Sequence, residues 1–298
     1  MGTEDASRSY AGLDLWPTGD VVAAMCEGQL DSAAAVQSQV EAIARAADEA
    51  AERLEHPSGR MVYVGAGTSG RLAVLDGVEL EPTFGWSRDR MIFGIAGGLD
   101  ALAGSVEGAE DDEDSARALV RSADLDRNDV VIGVAASGTT PFTVAAVREA
   151  SAAGALTVGI ASNANTPLLL AAKHPIFLDT GTELVAGSTR MKAGTAQKIA
   201  LNLLSTAIMV RLGRVHDGLM VDMRVSNRKL RTRAIGIVAE IAEVDREAAE
   251  GALDVAQNNI KLASLIAAGA SPEKAGELLA VSGNNLRAAL AAWRERPR

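Results

Sequence analysis

Five short apolar runs, separated by stretches with helical spacing, constrain the fold of this 298-residue chain more than any other feature. They are "RMVYVG" (60–65), "RMIFGIA" (90–96), "DVVIGVAA" (129–136), "ALTVGIAS" (155–162) and "PIFLDT" (175–180). Such nearly continuous apolar strands are typical of parallel sheets that are covered on both faces. The helical stretches at 69–80, 111–122 and 141–153 have the length of βαβ crossovers. The sequence therefore predicts an α/β fold with a doubly wound, five-stranded parallel sheet.

Longer helical patterns flank these strands. One alanine-rich helix is predicted from Asp31 to Leu54, before the turn "HPSG", and another over 187–213, closed by Gly213. From about Ser226 onward, amphipathic patterns alternate with turn signals such as "AGASPEKA". We therefore expect three parts, namely an N-terminal helical region (1–53), the sheet domain (54–225) and a C-terminal helical domain (226–298).

Composition excludes several classes of partner. A net charge of -10 and 3% aromatic residues disfavour nucleic-acid binding, which needs a basic face or stacking platforms. The most apolar helical run, "IALNLLSTAIMV", is too short and too polar to cross a membrane. A single cysteine, Cys26, fits a reducing cytoplasm, and the three histidines show no metal-ligand spacing. We expect a cytoplasmic protein without a metal.

The first strand leads into Gly65-x-Gly67-x-x-Gly70, the spacing of a dinucleotide-binding loop. However, no acidic residue ends the second strand to bind a ribose, and no Lys follows the last glycine as in a P-loop. Thr68 and Ser69 instead offer hydroxyls at a helix start, where an anion or a sugar would bind. A glycine turn that serves packing alone remains the alternative.

Two further loops carry hydroxyls ahead of a helix. The third strand ends in Ser137, Gly138, Thr139 and Thr140 before Pro141, more hydroxyls than one helix cap needs. Later in the chain, Ser188 and Thr189 precede Lys192, a cation placed against the helix dipole. A lysine that reaches solvent or pairs with an acid is the alternative for that position. Three such loops without a nucleotide signature predict a small phosphorylated ligand, most naturally a sugar phosphate.

Several segments together resemble the N-acetylmuramic acid 6-phosphate etherase family. In order, they are "GAGTSGRLAVLDGVELEPTFG" (65–85), "VEGAEDDED" (106–114), "VVIGVAASGTTP" (130–141), "ELVAGSTRMKAGTAQK" (183–198) and "GLMVDMRVSNRKL" (218–230). The resemblance implies a sugar isomerase (SIS) fold of flavodoxin-like topology and a homodimer. It also implies that the chain cleaves the D-lactyl ether of N-acetylmuramate 6-phosphate with water, without a cofactor.

The same resemblance assigns two catalytic glutamates. The family's proton donor falls on Glu79, and a second acid/base glutamate falls on Glu110. Because Glu79 lies on the order of 15 Å along the helix from the glycine loop, we expect an active site shared between two subunits. This sequence departs from the family's usual motif at Thr139, where the family usually has an arginine, and the departure bears on which substrate is bound.

Two other functions compete with the etherase. A regulatory sugar-phosphate sensor, like the related glucokinase regulatory protein, would bind the ligand without turning it over. An isomerase of another amino-sugar phosphate would not need a partner for the lactyl carboxylate. Retention of both Glu79 and Glu110 disfavours the sensor, since a sensor needs no acid/base pair.

Overall fold

A computed structural model describes residues 2–104 and 106–295. The chain contacts divide it into two compact units. The first contains the described residues of Met1–Gly77 and Asp89–Ile208, and the second those of Val78–Arg88 and Met209–Arg298. The three-part division expected from the sequence stays a prediction, because the units group residues differently and place 78–88 with the C-terminal part.

The first unit is built on one parallel sheet of five strands. Its strands are β1 (Met61–Gly65), β2 (Met91–Ile95), β3 (Val130–Val134), β4 (Leu156–Ala161) and β5 (His174–Phe177). Their order is β2-β1-β3-β4-β5, and every neighbouring pair is parallel. Each strand lies within or at the edge of an apolar run, so the predicted α/β fold is confirmed. In sheets of this order, ligands bind at the carboxyl ends of β1 and β3, where the strand order reverses.

Helices cover both faces of this sheet, as the crossovers require. The helices of the first unit are α1 (Thr18–Gln37), α2 (Val40–Leu54), α3 (Gly67–Val78), α5 (Glu113–Ser122), α6 (Pro141–Ala152), α7 (Pro167–Ala171) and α8 (Lys192–Arg211), and α2, α6 and α7 pack directly on the strands. The short helix α4 (Leu80–Phe84) follows α3 and belongs to the second unit. Helices α3 and α8 continue into the second unit at their carboxyl ends.

The single helix predicted from Asp31 to Leu54 is wrong, because the chain breaks it between α1 and α2. Gln39 leaves helical geometry with φ -107° and ψ 9°. Just before it, the Ser38 hydroxyl donates to the carbonyl of Ala35 at 2.7 Å. Polar side chains that bond to the local backbone compete with the helical hydrogen bonds, which explains a break inside an alanine-rich stretch.

The second unit is a helical bundle. Besides α4 it contains α9 (Arg228–Ala242), α10 (Arg246–Val255), α11 (Ile260–Ala267), α12 (Pro272–Val281), α13 (Leu286–Arg294) and the short antiparallel strands β6 (Val215–His216) and β7 (Leu219–Met220). Helices α9 to α13 each begin at an Asn, Asp or Ser side chain that accepts a backbone N–H of the first turn, namely Asn227, Asp245, Asn259, Ser271 and Asn285. These caps separate short helices around an apolar core.

One ion pair is buried in this bundle. The ammonium of Lys261, which is 1% exposed, donates to Asp222 at 2.6 Å and to the carbonyl of Asn284 at 2.8 Å. Burial lowers the pKa of Lys261, and the charge of Asp222 opposes that shift. In the described ranges, no helix is long and apolar enough to cross a bilayer.

Candidate active site

A cavity of about 360 Å³ opens at the carboxyl ends of β1 and β3, where the strand order predicts a ligand site. Its volume suits a small ligand. Seven of the residues singled out from the sequence line it, namely Gly67, Thr68, Ser69, Glu110, Ser137, Thr140 and Thr189. All of its lining residues belong to the first unit.

The glycine loop after β1 owes its spacing to backbone packing. A Cβ on Gly65 would lie 2.9 Å from both the Cα and the N of Gly70, so the strand end and the first turn of α3 touch without side chains. Gly67 begins α3 with φ +52°, and a Cβ there would lie 3.1 Å from Glu110 Oε1. The loop therefore brings the amino end of α3 next to Glu110.

The loop after β3 forms the second wall. Ser137 and Thr140 line the cavity, whereas Gly138 and Thr139 do not. Gly138 has φ +70°, and a Cβ on it would meet the Thr166 hydroxyl at 2.2 Å, so only glycine fits. The backbone N–H of Thr139 donates to Ser137 Oγ at 3.2 Å. Thr140 precedes Pro141 without a side-chain cap, so the start of α6 is open toward the cavity.

The third predicted loop is organised around a carboxylate. Glu183, 1% exposed, accepts the backbone N–H groups of Lys192 at 3.0 Å and Ala193 at 2.9 Å. The helix predicted to open at 187 therefore begins at Lys192, at a cap supplied nine residues upstream. Thr189 lines the cavity, whereas Ser188 and Lys192 do not.

The side chain of Lys192 pairs with Asp31 and does not line the cavity. Its ammonium lies 3.3 Å from Asp31 Oδ2, its side chain is 6% exposed, and Ser32 Oγ donates to its carbonyl at 2.9 Å. Its role in substrate binding stays a prediction.

The two glutamates assigned by resemblance have different surroundings. Glu110 lies in a single 3₁₀ turn (Ala109–Asp111) and faces the cavity. Glu79 is exposed between α3 and α4 and is not among the residues that line the cavity. The structure thus brings Glu110 to the hydroxyls of both loops. The catalytic role of each glutamate stays a prediction.

Two charged residues of the cavity were missed by the sequence analysis. Arg71 donates through Nε to the carbonyl of Ala101 at 2.9 Å and through a terminal nitrogen to Gly104 at 2.6 Å. Its place in "GTSGR", right after the glycine loop, was the signal that could have found it.

Glu4 is the other residue, and no local pattern pointed to it. Its neighbour Thr3 is fully buried and exchanges hydrogen bonds with the Asn163 amide at 3.1 Å, while the N–H of Gly187 donates to the Thr3 carbonyl at 3.1 Å. Asn163 also donates to the carbonyl of Ser137 at 3.4 Å. The N-terminal segment is therefore fixed to the loops of the cavity.

Helix α3 is anchored at its far end by a buried carboxylate. Asp76 accepts hydrogen bonds from Tyr63 on β1 at 2.7 Å and from Asn202 and Ser205 on α8 at 2.6 and 3.1 Å. Burial, followed by the charge of Asp76 and this hydrogen bond, raises the pKa of Tyr63 well above its usual value. Tyr63 is thus a neutral donor that holds α3 on the sheet.

The charge of the cavity is mixed. Among the described lining residues, Arg71 carries the positive charge and Glu4 and Glu110 the negative charge. Residues 2–104 and 106–295 contain no group of three His, Cys, Asp or Glu side chains suited to a metal ion. The absence of a cofactor stays a prediction.

Comparison with protein families matches two overlapping parts of the chain. Residues 37–151 match the glucokinase regulatory protein N-terminal SIS domain, and residues 110–207 match the SIS domain. Among solved structures, a phosphoheptose isomerase from Francisella tularensis aligns with a TM-score of 0.46 and 15% identity over 66% of this chain and 98% of that chain.

Curated relatives match almost the whole length. An N-acetylmuramic acid 6-phosphate etherase of Deinococcus radiodurans is 46% identical over 97% of this chain and 94% of its own. Etherases of the same name from Streptomyces coelicolor (46% identical, 98% and 94% covered) and Actinobacillus pleuropneumoniae (40%, 97% and 95%) are similar. The chain belongs to the N-acetylmuramic acid 6-phosphate etherase family, and its parallel sheet is that of a SIS domain.

Proposed function

We propose that this chain cleaves the D-lactyl ether of N-acetylmuramate 6-phosphate and releases N-acetylglucosamine 6-phosphate and D-lactate. One observation carries the proposal, namely that Glu110 and the hydroxyls at the starts of α3 and α6 line the same cavity. The names of the curated relatives support the same activity. We place the reaction in the cytoplasm, where the exposed thiol of Cys26 would stay reduced.

The phosphate group binds at the open helix starts. Backbone N–H groups and the positive end of the helix dipole favour an anion there. Ser137 and Thr140 at α6, with Thr68 and Ser69 at α3, supply hydroxyl donors around it. Thr189 adds a further hydroxyl, whereas Lys192 binds no substrate in this proposal because it faces Asp31.

The chemistry needs an acid and a base. In the open-chain sugar, the lactyl oxygen is attached to carbon 3, which is β to the aldehyde. A base takes the proton of carbon 2, the electron pair forms a bond between carbons 2 and 3, and the carbon–oxygen bond to lactate breaks as that oxygen is protonated. Water then adds to carbon 3 while a proton returns to carbon 2. The net change consumes one water and needs only two groups that exchange protons.

We assign these two roles to Glu79 and Glu110. Glu79 protonates the departing lactate, and Glu110 moves the proton at carbon 2. Two carboxylates in different surroundings suit such opposite roles. Arg71, the cation among the described lining residues, is the candidate partner for a substrate carboxylate, because Thr139 carries no charge and does not line the cavity.

The active site is completed by a second copy of the chain in this proposal. Glu79 is absent from the cavity lining and exposed, so it is free to reach a neighbouring subunit. Leu75 on α3 and Leu203 on α8 are 53% and 45% exposed on helices that touch through Asp76 and Asn202. Exposed apolar side chains on adjoining helices are typical of subunit contacts.

Mixing inactive subunits tests this arrangement. If each site combines Glu79 of one subunit with Glu110 of the other, a Glu79→Gln/Glu110→Gln heterodimer contains one intact site. Random reassociation of equal amounts would restore about a quarter of the wild-type rate, since half of the dimers are mixed and each has one of two sites. No recovery, with mixed dimers demonstrated by differently tagged subunits, would place both glutamates in the same subunit.

The activity itself is tested by incubating the protein with N-acetylmuramate 6-phosphate and measuring D-lactate. Release of lactate together with N-acetylglucosamine 6-phosphate is expected. Saturable sugar-phosphate binding without any lactate would instead support the sensor, a reading favoured by the match of residues 37–151 to the glucokinase regulatory protein domain.

A further inference from the structure

We propose that Gln197 is a positioning residue that makes the Ser69 hydroxyl a hydrogen-bond donor toward the phosphate group of the ligand. The inference deepens the proposed function and rests on it. Ser69, in the first turn of α3, lines the cavity and is 8% exposed. Gln197, on α8, is fully buried, and its Oε1 lies 3.0 Å from Ser69 Oγ. The amide is therefore the protein-side partner of a hydroxyl that faces the ligand.

In this orientation, the amide leaves one of its own groups unsatisfied. Ser69 donates to Oε1, and Gln197 Nε2 is buried without a hydrogen-bond partner among the residues that the structure describes. A buried donor without an acceptor is costly. A half-turn of the amide exchanges Nε2 and Oε1, so that one of the two N–H groups of Nε2 donates to Ser69 Oγ. The atom then left without a partner is a carbonyl oxygen, which proteins tolerate better than an orphaned N–H.

The two orientations give Ser69 opposite properties toward the cavity. A hydroxyl has one proton and two lone pairs. If Ser69 donates to Gln197, it faces the ligand with lone pairs only, which repel the oxygens of a phosphate dianion. If Gln197 donates, the proton of Ser69 is free for the phosphate. The orientation that leaves fewer buried N–H groups unpaired is thus also the one that binds an anion.

The inference is tested through selectivity for the phosphate group. Calorimetry gives the affinity for N-acetylglucosamine 6-phosphate relative to N-acetylglucosamine, and this ratio reports contacts to the phosphate alone. Ser69→Ala should lower the ratio by at least about tenfold, the effect of losing a hydrogen bond to a charged group. Gln197→Glu, once ionised, can only accept and should lower it to a similar extent. The double variant should lose no more than Ser69→Ala, because both changes remove the same donor.

A pH series separates positioning from packing. A buried glutamate can hold its proton up to about pH 8–9. Gln197→Glu should therefore behave like the wild type at pH 7.5, where its carboxyl group donates to Ser69, and lose phosphate selectivity by pH 9.5. Because the second phosphate ionisation has a pKa of about 6, the wild type should show no such step. Gln197→Met, which fills the space and accepts hydrogen bonds only weakly, should change the ratio by less than about threefold, since Ser69 keeps its proton for the phosphate.

Two results would overturn the inference. One is a wild-type ratio in Gln197→Glu at pH 9.5, which would show that an acceptor at this position suits the ligand equally well. The other is an equal loss in Gln197→Met and Gln197→Glu at pH 9.5, which would reduce Gln197 to packing. Release of D-lactate by the wild type tests the proposed function separately, so the failure of one can be distinguished from the failure of the other.

Discussion

The starts of helices α8 and α3 look alike in the sequence and differ in the structure. At α8, the first N–H groups are bonded to Glu183, a buried carboxylate of the same chain. At α3, the first residues face a cavity next to Glu110. Both starts carry serine and threonine, so hydroxyls at a helix start do not distinguish them. A helix start becomes a binding site only where the protein itself leaves its N–H groups open.

The two carboxylates at these helix starts differ in the same way. Each oxygen of Glu183 accepts a backbone N–H, and its side chain is withdrawn from solvent. Glu110 is exposed and has no hydrogen-bond partner for its side chain within residues 2–104 and 106–295. A carboxylate whose oxygens are occupied holds the fold, whereas an open one is available to exchange protons with a ligand.

The largest effect is expected from the open carboxylates. Glu110→Gln and Glu79→Gln should each lower the rate of D-lactate release by about 10²- to 10⁴-fold, because an amide cannot act as acid or base. The free energy of unfolding of both variants, measured in urea, should lie within about 0.5 kcal/mol of the wild-type value, as is usual for exposed substitutions. The neighbouring Asp111→Asn is the matched control, since Asp111 is exposed but does not line the cavity. It should stay within about threefold of the wild-type rate.

Near-normal turnover in Glu110→Gln would remove it from the chemistry and would leave Glu4 as the other carboxylate among the described lining residues. Loss of folding in Glu110→Gln would contradict the distinction between Glu110 and Glu183, because an exposed carboxylate would then be needed for the fold as well.

For Glu183 the reverse is expected, namely a loss of stability with little loss of activity. In Glu183→Gln, one of the two backbone N–H groups of α8 would face the amide NH₂ instead of an oxygen. A buried donor left unsatisfied in this way should lower the free energy of unfolding by about 1–3 kcal/mol, with a further loss of the favourable charge at the helix start. Urea unfolding measures the loss, and lactate release at low temperature should persist. Wild-type stability in this variant would mean that the closed helix start contributes nothing to the fold.

Glu183 also marks the limit of what the sequence could predict. The five strands were found because apolar runs between turn signals have few other uses. The start of α8 was placed too early, since Ser188 and Thr189 resemble a local cap while the true cap comes from nine residues upstream. Glu4 was missed for a related reason, because only tertiary contacts bring the N-terminal segment to the cavity. Non-local partners leave no periodic signal in the sequence.

The smallest effect is expected for Glu49, a carboxylate that has hydrogen-bond partners but does not lie at a helix start. Glu49 on α2 is hydrogen-bonded by Lys173 and by His174, whose Nε2 lies 2.9 Å from Oε2, and Arg53 lies 3.3 Å away. Burial acts to raise the pKa of Glu49, but the hydrogen bonds and charges of Lys173 and His174 outweigh it and lower the pKa to about 2. Like Glu183, Glu49 should therefore serve stability and leave lactate release unchanged.

The sign of its pH dependence follows from this lowered pKa. The folded state holds the ionised form more strongly than the unfolded state, so the stabilisation is complete above the ordinary pKa of 4.5 and is lost as the pH falls toward 2. Because the side chain is partly exposed, Glu49→Gln should lose only about 1 kcal/mol or less at pH 7, and the difference from the wild type should shrink between pH 5 and 3. Urea unfolding across this range measures it. Glu52→Gln, which removes an exposed carboxylate from the same helix, controls for the change in net charge. A difference in the free energy of unfolding that stays constant from pH 7 to pH 3 would show that the ion pairs of Glu49 do not stabilise the fold. Glu49 could then not be grouped with Glu183 as a carboxylate that serves stability.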